Sequence, residues 1–179
     1  MDTQHTGSTV TPEMKELPLH RFFLLALQDM YWAENHLVES LPEMVEAATS
    51  PEVKQLINDH LEETMGQVSR LNNIFIMLDE NPKEKKCKAM AGLIREASDI
   101  IDETDKGTAV RDAAIIMAAQ KVEHYEIASY GSLQTFAEMM GHGEVAMLLG
   151  ATLEEEKEAD KKLTALAESD INEQALQQE

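Results

Sequence analysis

The chain has little of what stabilises secreted proteins or anchors membrane proteins. Its single cysteine, Cys87, cannot form an internal disulfide, which is typical of a reducing compartment. No apolar run approaches the roughly 20 residues that a membrane-spanning helix needs. Residues 1–16 have neither the basic start nor the apolar centre of a signal peptide. We therefore expect a cytoplasmic protein with no membrane partner, in which residues 1–16 form a disordered tail.

Aromatic residues are also scarce, at 4% of the chain, and runs of β-branched residues are few. The sequence is instead rich in Ala, Leu, Glu, Met and Lys, which all favour helix. With 179 residues, of which 43% are hydrophobic, the chain is long enough and apolar enough for one packed core. We expect one all-α domain over residues 17–170, followed by a polar tail over residues 171–179.

Basic residues are few: the chain has 15 Lys and Arg against 34 Asp and Glu, which gives a formal net charge of −19. Such a charge repels nucleic-acid phosphates and anionic lipids, so we expect no nucleic-acid partner. It is compatible with cation binding, although a well-solvated surface is the simpler explanation of the net charge alone.

Proline and glycine, although few, mark the ends of four long helices and one short one. Ser50-Pro51 is typical of a helix start, with a capping residue before a proline at the first position. Pro42 should end or kink the first helix late. The breaks predict long helices over residues 19–48, 51–79, 109–140 and 144–168, and a short one over residues 87–104.

The connections between these helices predict their arrangement. Short loops join the first long helix to the second and the third to the fourth, so each pair should be antiparallel. A 28-residue helix is about 42 Å long at ~1.5 Å per residue. The segment from 81 to 107 can cross that length and includes the short helix. This pattern predicts a ferritin-like antiparallel four-helix bundle with one long crossover between its second and third helices.

Acidic residues interrupt the apolar face of every long helix near its middle. A bundle helix turns an apolar stripe inward at alternating steps of three and four residues. On that spacing, or directly beside it, we find a histidine and six carboxylates: Glu34, His60, Glu63, Glu123, Glu126, Glu156 and Asp160. One acid in such a stripe is ordinary in a chain this acidic, and is usually a partly exposed residue.

The heights of these acids along the bundle favour a shared role. Glu34 and Glu63 lie at nearly equal distances from the break near residue 49, and Glu126 and Glu156 similarly flank the break near residue 142. They should therefore meet at one level, where an unpaired buried carboxylate is costly. Hard cations compensate that cost well. We therefore predict a site for two metal ions, iron or manganese.

Four segments resemble the YciF/YciE family of bacterial ferritin-like proteins, most closely its YciF branch, over roughly residues 17–170. They are Asp29-Met-Tyr-Trp-Ala-Glu34, His60-Leu-Glu-Glu-Thr64, Lys121-Val-Glu-His-Tyr-Glu-Ile-Ala-Ser-Tyr-Gly131 and Thr152-Leu-Glu-Glu-Glu-Lys157. The resemblance implies a fold related to rubrerythrin, a homodimer and a link to bacterial stress. It supports as ligands Glu34, Glu63, Glu123, Glu126 and Glu156.

The chain departs from the ferritin and rubrerythrin pattern at Gly66 and Ala159, where a histidine ligand is expected, and carries Met65 where YciF relatives have histidine. His60 is then the candidate nitrogen ligand, or a residue that orients a ligand. The leading hypothesis is a dimetal redox enzyme, bridged by Glu63 and Glu126, that reacts with peroxide or O₂ in a peroxidase-like or catalase-like way. The alternative is a non-enzymatic stress-related protein with a structural or vestigial metal site.

Overall fold

The computed structural model describes residues 11–178, and within them the chain is helical. The four long helices are confirmed, each within two residues of the predicted bounds. In chain order the elements are α1 (Pro12–Lys15), α2 (Pro18–Ala47), α3 (Pro51–Met77), α4 (Lys88–Glu103), α5 (Ala109–Met139), α6 (Gly143–Leu166), a π-helical turn (Ala167–Ile171) and α7 (Asn172–Gln177).

Helices α2, α3, α5 and α6 form the predicted antiparallel bundle. Helix α2 packs against α3, and α5 packs against α6, each pair being joined by a turn of three residues. The two pairs meet through α3 with α6 and through α2 with α5. The connection from α3 to α5 runs the length of the bundle and carries α4, which packs on α5 and α2. This is the long crossover of the predicted ferritin-like bundle.

Side-chain caps set the starts of α3, α4 and α5. The hydroxyl of Ser50 accepts hydrogen bonds from the backbone N–H groups at the start of α3, and Thr108 does the same for α5. The sulfur of Cys87 takes this role for α4, accepting from the N–H of Met90 at 3.3 Å. Gly141, with a φ of 77°, permits the tight turn into α6.

Polar and ionic contacts fix the connections to the bundle. The carboxylate of Asp112 in α5 accepts hydrogen bonds from the backbone N–H groups of Thr49 and Ser50, at 2.7 and 2.8 Å. In the crossover, the backbone N–H of Lys85 donates to Gln28 and its ammonium group lies 2.8 Å from Asp29. These contacts tie the turn between α2 and α3 to α5, and the crossover to α2.

Two short elements lie in segments that we expected to be tails. Residues 12–15, within the expected disordered tail of residues 1–16, form one helical turn, and residues 1–10 lie outside the described part of the chain. Residues 172–177, within the expected polar tail, form α7. Helix α2 continues beyond Pro42 to Ala47. Among residues 11–178, none of the helices combines the length and the apolar character that a membrane crossing requires.

Candidate metal centre

A histidine and three glutamates from three helices meet in the middle of the bundle. One ligand atom from each of His60, Glu123, Glu126 and Glu156 lies within 4.8 Å of every other, and all four residues are buried. Glu34 of the remaining long helix is also fully buried, and its Oε1 accepts a hydrogen bond from the Tyr130 hydroxyl. Each long helix therefore contributes one or two of these groups.

Helical periodicity places these side chains inside because they continue the apolar faces of their helices. On α2, Glu34 lies between the buried residues Met30 and Leu37. On α5, Glu123 and Glu126 are three residues apart, so they share one face of the helix. The same spacing that builds the core therefore builds the cluster.

Burial makes these carboxyl groups unfavourable as anions. It raises the pKa of Glu34 to about 8, with a further rise from the charge of Glu156 and an opposing effect of the hydrogen bond from Tyr130. Burial likewise raises the pKa of Glu156 to about 7, although hydrogen bonds from its neighbours oppose the shift. For Glu123 and Glu126, burial and then the neighbouring carboxylates raise the pKa well above its usual range. Without a cation, the cluster holds protons at neutral pH.

The surroundings of His60 favour its neutral imidazole form, which can act as a nitrogen ligand. Its Nε2 lies 3.5 Å from Oε1 of Glu123, too far for a normal hydrogen bond. Burial, and then the charge of Lys162, lowers the pKa of His60 to about 4. Neutral imidazole is the form that binds metal ions. Neither ring nitrogen has a hydrogen-bond partner among the described residues.

Oxygen atoms of the cluster lack partners in the same way. Those without a hydrogen-bond partner among residues 11–178 are Glu34 Oε2, Glu123 Oε2, both oxygens of Glu126, Glu156 Oε2 and Gln67 Oε1. Each unsatisfied buried polar atom costs about 1–3 kcal/mol, so several together need compensation. A cation supplies it, and a set of carboxylates with one imidazole suits iron or manganese. The residues present therefore fit a metal site.

A second layer of side chains orients the ligand candidates. The amide of Gln67 donates hydrogen bonds to Glu156 Oε1 and, at 3.2 Å, to Glu155 Oε2. The guanidinium of Arg70 binds both oxygens of Glu155 at 2.7 Å and also donates to Thr152. Such outer partners hold metal ligands in orientation.

The structure does not bring two predicted site residues, Glu63 and Asp160, into the group of four. Glu63 remains about a third exposed, and its Oε1 lies 3.9 Å from the ammonium of Lys162. Asp160 is partly buried where α6 faces α5, with His124 3.2 Å away and Gln120 donating to it at 3.3 Å. Both residues lie at the rim of the candidate centre.

The sequence reasoning missed Thr64 and Gln67, which are fully buried on the inner face of α3. Spacing by three and four from Ile57 through His60 places both residues on the inner face, whereas Glu63 lies on the adjacent, partly exposed stripe. The same orientation of α3 accounts for the absence of histidine at positions 65 and 66. Met65 is 55% exposed and Gly66 is also exposed, so neither position faces the centre. Ala159, the position on α6 where a histidine ligand is expected, is buried but has no nitrogen atom with which to bind a metal ion.

Comparison with known proteins agrees with this architecture. The profile of the family described as "Domain of unknown function (DUF892)" matches residues 18–176. The chain belongs to the DUF892 family. It is 48% identical over 155 residues to Protein YciF of Escherichia coli K12, covering 86% of this chain and 92% of that protein. The predicted resemblance to the YciF branch is confirmed.

Solved structures of two relatives share the fold. The crystal structure of the E. coli stress protein YciF matches with a TM-score of 0.82 at 46% identity, covering 86% of this chain and 97% of that one. YcfI of Rhodopseudomonas palustris, named as a candidate structural protein, matches with a TM-score of 0.80 at 41% identity, covering 83% and 94%. The chain is therefore a helical-bundle member of a family that includes a stress protein, and its buried cluster could hold a metal ion.

Proposed function

We propose that this protein is a dimetal-carboxylate oxidoreductase that reacts with peroxide or O₂, with peroxidase-like or catalase-like activity in bacterial stress. The observation that carries the proposal is the convergence of buried, unpartnered ligand atoms from all four long helices. A protein with no use for a cation would be more stable with apolar residues at these positions.

The buried candidates would hold two metal ions. Glu126 and Glu156, which are fully buried, would hold them together with His60, Glu123 and Glu34. This ligand set omits Glu63, which the sequence suggested as a central ligand, because Glu63 lies at the rim.

When bound, two iron or manganese ions would supply the electrons that break an O–O bond. The residues of the chain supply the surroundings of that reaction. The bundle core excludes water, because none of the five ligand candidates is more than 6% exposed. Tyr130 holds Glu34 through its hydroxyl, and Gln67 holds Glu156 through its amide.

A second candidate function is a non-enzymatic stress-related protein that uses the cluster as a structural cation site. The name of its Rhodopseudomonas relative favours this alternative, as does Ala159, which places no nitrogen ligand on α6. Metal would then stabilise the fold without turning over an oxidant.

The test combines metal stoichiometry with peroxide consumption. We expect the anaerobic metal-free protein to bind two Fe²⁺ or Mn²⁺ per chain, and the loaded protein to consume hydrogen peroxide. Glu126→Gln should abolish both, since it removes a charge at the centre with little change of shape. The matched control is Glu62→Gln on the exposed side of α3, which should behave like the parent.

Binding of metal without peroxide or O₂ consumption would favour the structural alternative. Absence of metal binding by the parent would contradict both functions.

A further inference from the structure

Two narrow spaces reach the candidate centre, and one of them has a charged lining. His60 and Glu123 line both. The space beneath α4 is otherwise mostly apolar, whereas the cleft between α3 and α6, here called the α3–α6 cleft, is also lined by Asp59, Glu63 and Lys162. A cation that leaves water needs oxygen ligands in exchange, because its desolvation is otherwise very costly. The α3–α6 cleft is therefore the better route for a cation.

An open groove between α3 and α6 continues this cleft to the surface. The groove and the cleft share Leu56, Asp59 and Lys162 in their linings, and the groove adds Glu52. The chain as a whole carries a net charge of −19. Carboxylates along a groove of an acidic protein raise the local concentration of cations there. A cation drawn to this side of the bundle is led towards the cleft.

In the structure the α3–α6 cleft is too narrow for a hydrated ion. Its cavity is only about 10 Å³, which is room for about one water molecule. Two of its lining residues, Glu63 and Lys162, remain 35% and 44% exposed, and Glu63 Oε1 lies 3.9 Å from Lys162 Nζ. An ion pair with this exposure and separation is weak. The two side chains can therefore separate readily, and their separation would widen the cleft.

Behind this ion pair lies a buried nitrogen ligand that has no partner. His60 is 6% exposed and lines the cleft, and neither of its ring nitrogens has a hydrogen-bond partner among residues 11–178. The charge of Lys162, second to burial, contributes to the low pKa of this imidazole. The ammonium group is thus close enough to act on His60. It occupies the negative potential that would draw a metal ion inward.

We propose that Glu63 and Lys162 form a gate through which divalent cations enter the centre, and that Glu63 is the first carboxylate to bind them. In the metal-free protein Lys162 lies against Glu63 and offsets its charge. When the ammonium group swings outward, Glu63 exchanges it for the incoming ion and replaces part of the ion's water. Glu63 then delivers the ion to His60, one turn away on the same helix. This inference rests on the metal site of the proposed function and not on its oxidant chemistry.

The rate of Mn²⁺ uptake by the full metal-free chain tests the gate. Rapid-freeze EPR under nitrogen follows the loss of the free Mn²⁺ signal, and an equilibrium titration gives the number of ions bound. Lys162→Met removes the ammonium group and keeps the length of the side chain, so uptake should be about fivefold faster with the same number of ions bound. Lys162→Arg keeps the charge and should behave like the parent. Lys157→Met is the matched control on α6, because Lys157 pairs with Glu154 outside the cleft.

A double-mutant comparison separates a gate from a general repulsion of cations by Lys162. Glu63→Gln should slow uptake by about tenfold, because an amide attracts a cation less than a carboxylate does. Glu62→Gln, on the exposed side of α3, should leave the rate unchanged. In the Glu63→Gln background, Lys162→Met should have little effect, since no ion pair remains to be opened.

Equal acceleration by Lys162→Met with and without Glu63 would overturn the gate, as would unchanged rates in both single variants. If the rates follow the prediction but the loaded parent consumes neither peroxide nor O₂, the oxidoreductase proposal fails and the gate stands. A parent that binds no Mn²⁺ overturns both.

Discussion

The buried carboxyl groups should make the metal-free protein less stable as the pH rises above neutral. Glu34 keeps its proton in the folded state up to a pKa of about 8, whereas its ordinary value is 4.5. The folded state therefore binds more protons than the unfolded state across this range, so the free energy of unfolding falls with increasing pH. Glu123 and Glu126 act in the same direction, because burial raises their pKa as well.

The size of the effect follows from Glu34. Raising the pH from 7 to 8.5 should lower the free energy of unfolding by about 1 kcal/mol through this residue alone, since one pKa unit corresponds to about 1.4 kcal/mol. A loss of that size lowers the melting temperature by roughly 2–4 °C in a chain of this length. Burial lowers the pKa of His20, His60 and His142, which acts in the opposite direction. That effect is nearly complete by pH 7, because unfolded histidine titrates near pH 6.5.

Thermal melts at pH 7, 7.75 and 8.5, with a chelator or with excess Mn²⁺ under nitrogen, measure this dependence. The chelated parent should lose stability over the range, and Glu34→Gln should lose less because it cannot ionise. With Mn²⁺ the loss should disappear, because metal binds the ionised carboxylates more tightly as the pH rises. A chelated parent whose stability is constant or rises from pH 7 to 8.5 would refute the reasoning.

Three further predictions test the surroundings of the centre. Gln67→Leu removes a donor to Glu156 and should weaken Mn²⁺ binding by about 10–100-fold in calorimetric titration, whereas the exposed Gln55→Leu should not. Asp112→Ala leaves two backbone N–H groups without their acceptor and should lower the free energy of unfolding in urea by about 2–4 kcal/mol; Asp102→Ala, on the exposed side of α4, serves as the control. Much of the apolar face of α4 is only partly buried in one chain, so sedimentation should show a homodimer at micromolar concentration, and a pure monomer would contradict this.

Most of the fold could be predicted because its signals are local. The Ser50-Pro51 restart and the turn at Gly141 mark helix ends through backbone geometry that depends on few neighbours. Spacing by three and four then identifies the inward faces. The helical turn at Pro12–Lys15 was not predictable in this way, since Lys15 is held by Asp79 and Glu80, more than 60 residues away.

The residues of the candidate centre could be predicted only on helices with a single apolar stripe, because that stripe identifies the inward face. On α2 and α5 the apolar neighbours of Glu34, Glu123 and Glu126 left a single choice of face. On α3 two adjacent stripes competed, and only the packing of α3 against α6 decides that Gln67 points inward. The orientation of Glu63 also depends on a distant partner, Lys162.

All the ligand candidates of this bundle come from a single chain. A centre shared between subunits would fill only after the subunits meet, so its occupancy would vary with protein concentration. Here the helices that supply the ligands are brought together by the folding of one chain. Metal capacity should then grow in direct proportion to the amount of folded chain, whatever its concentration.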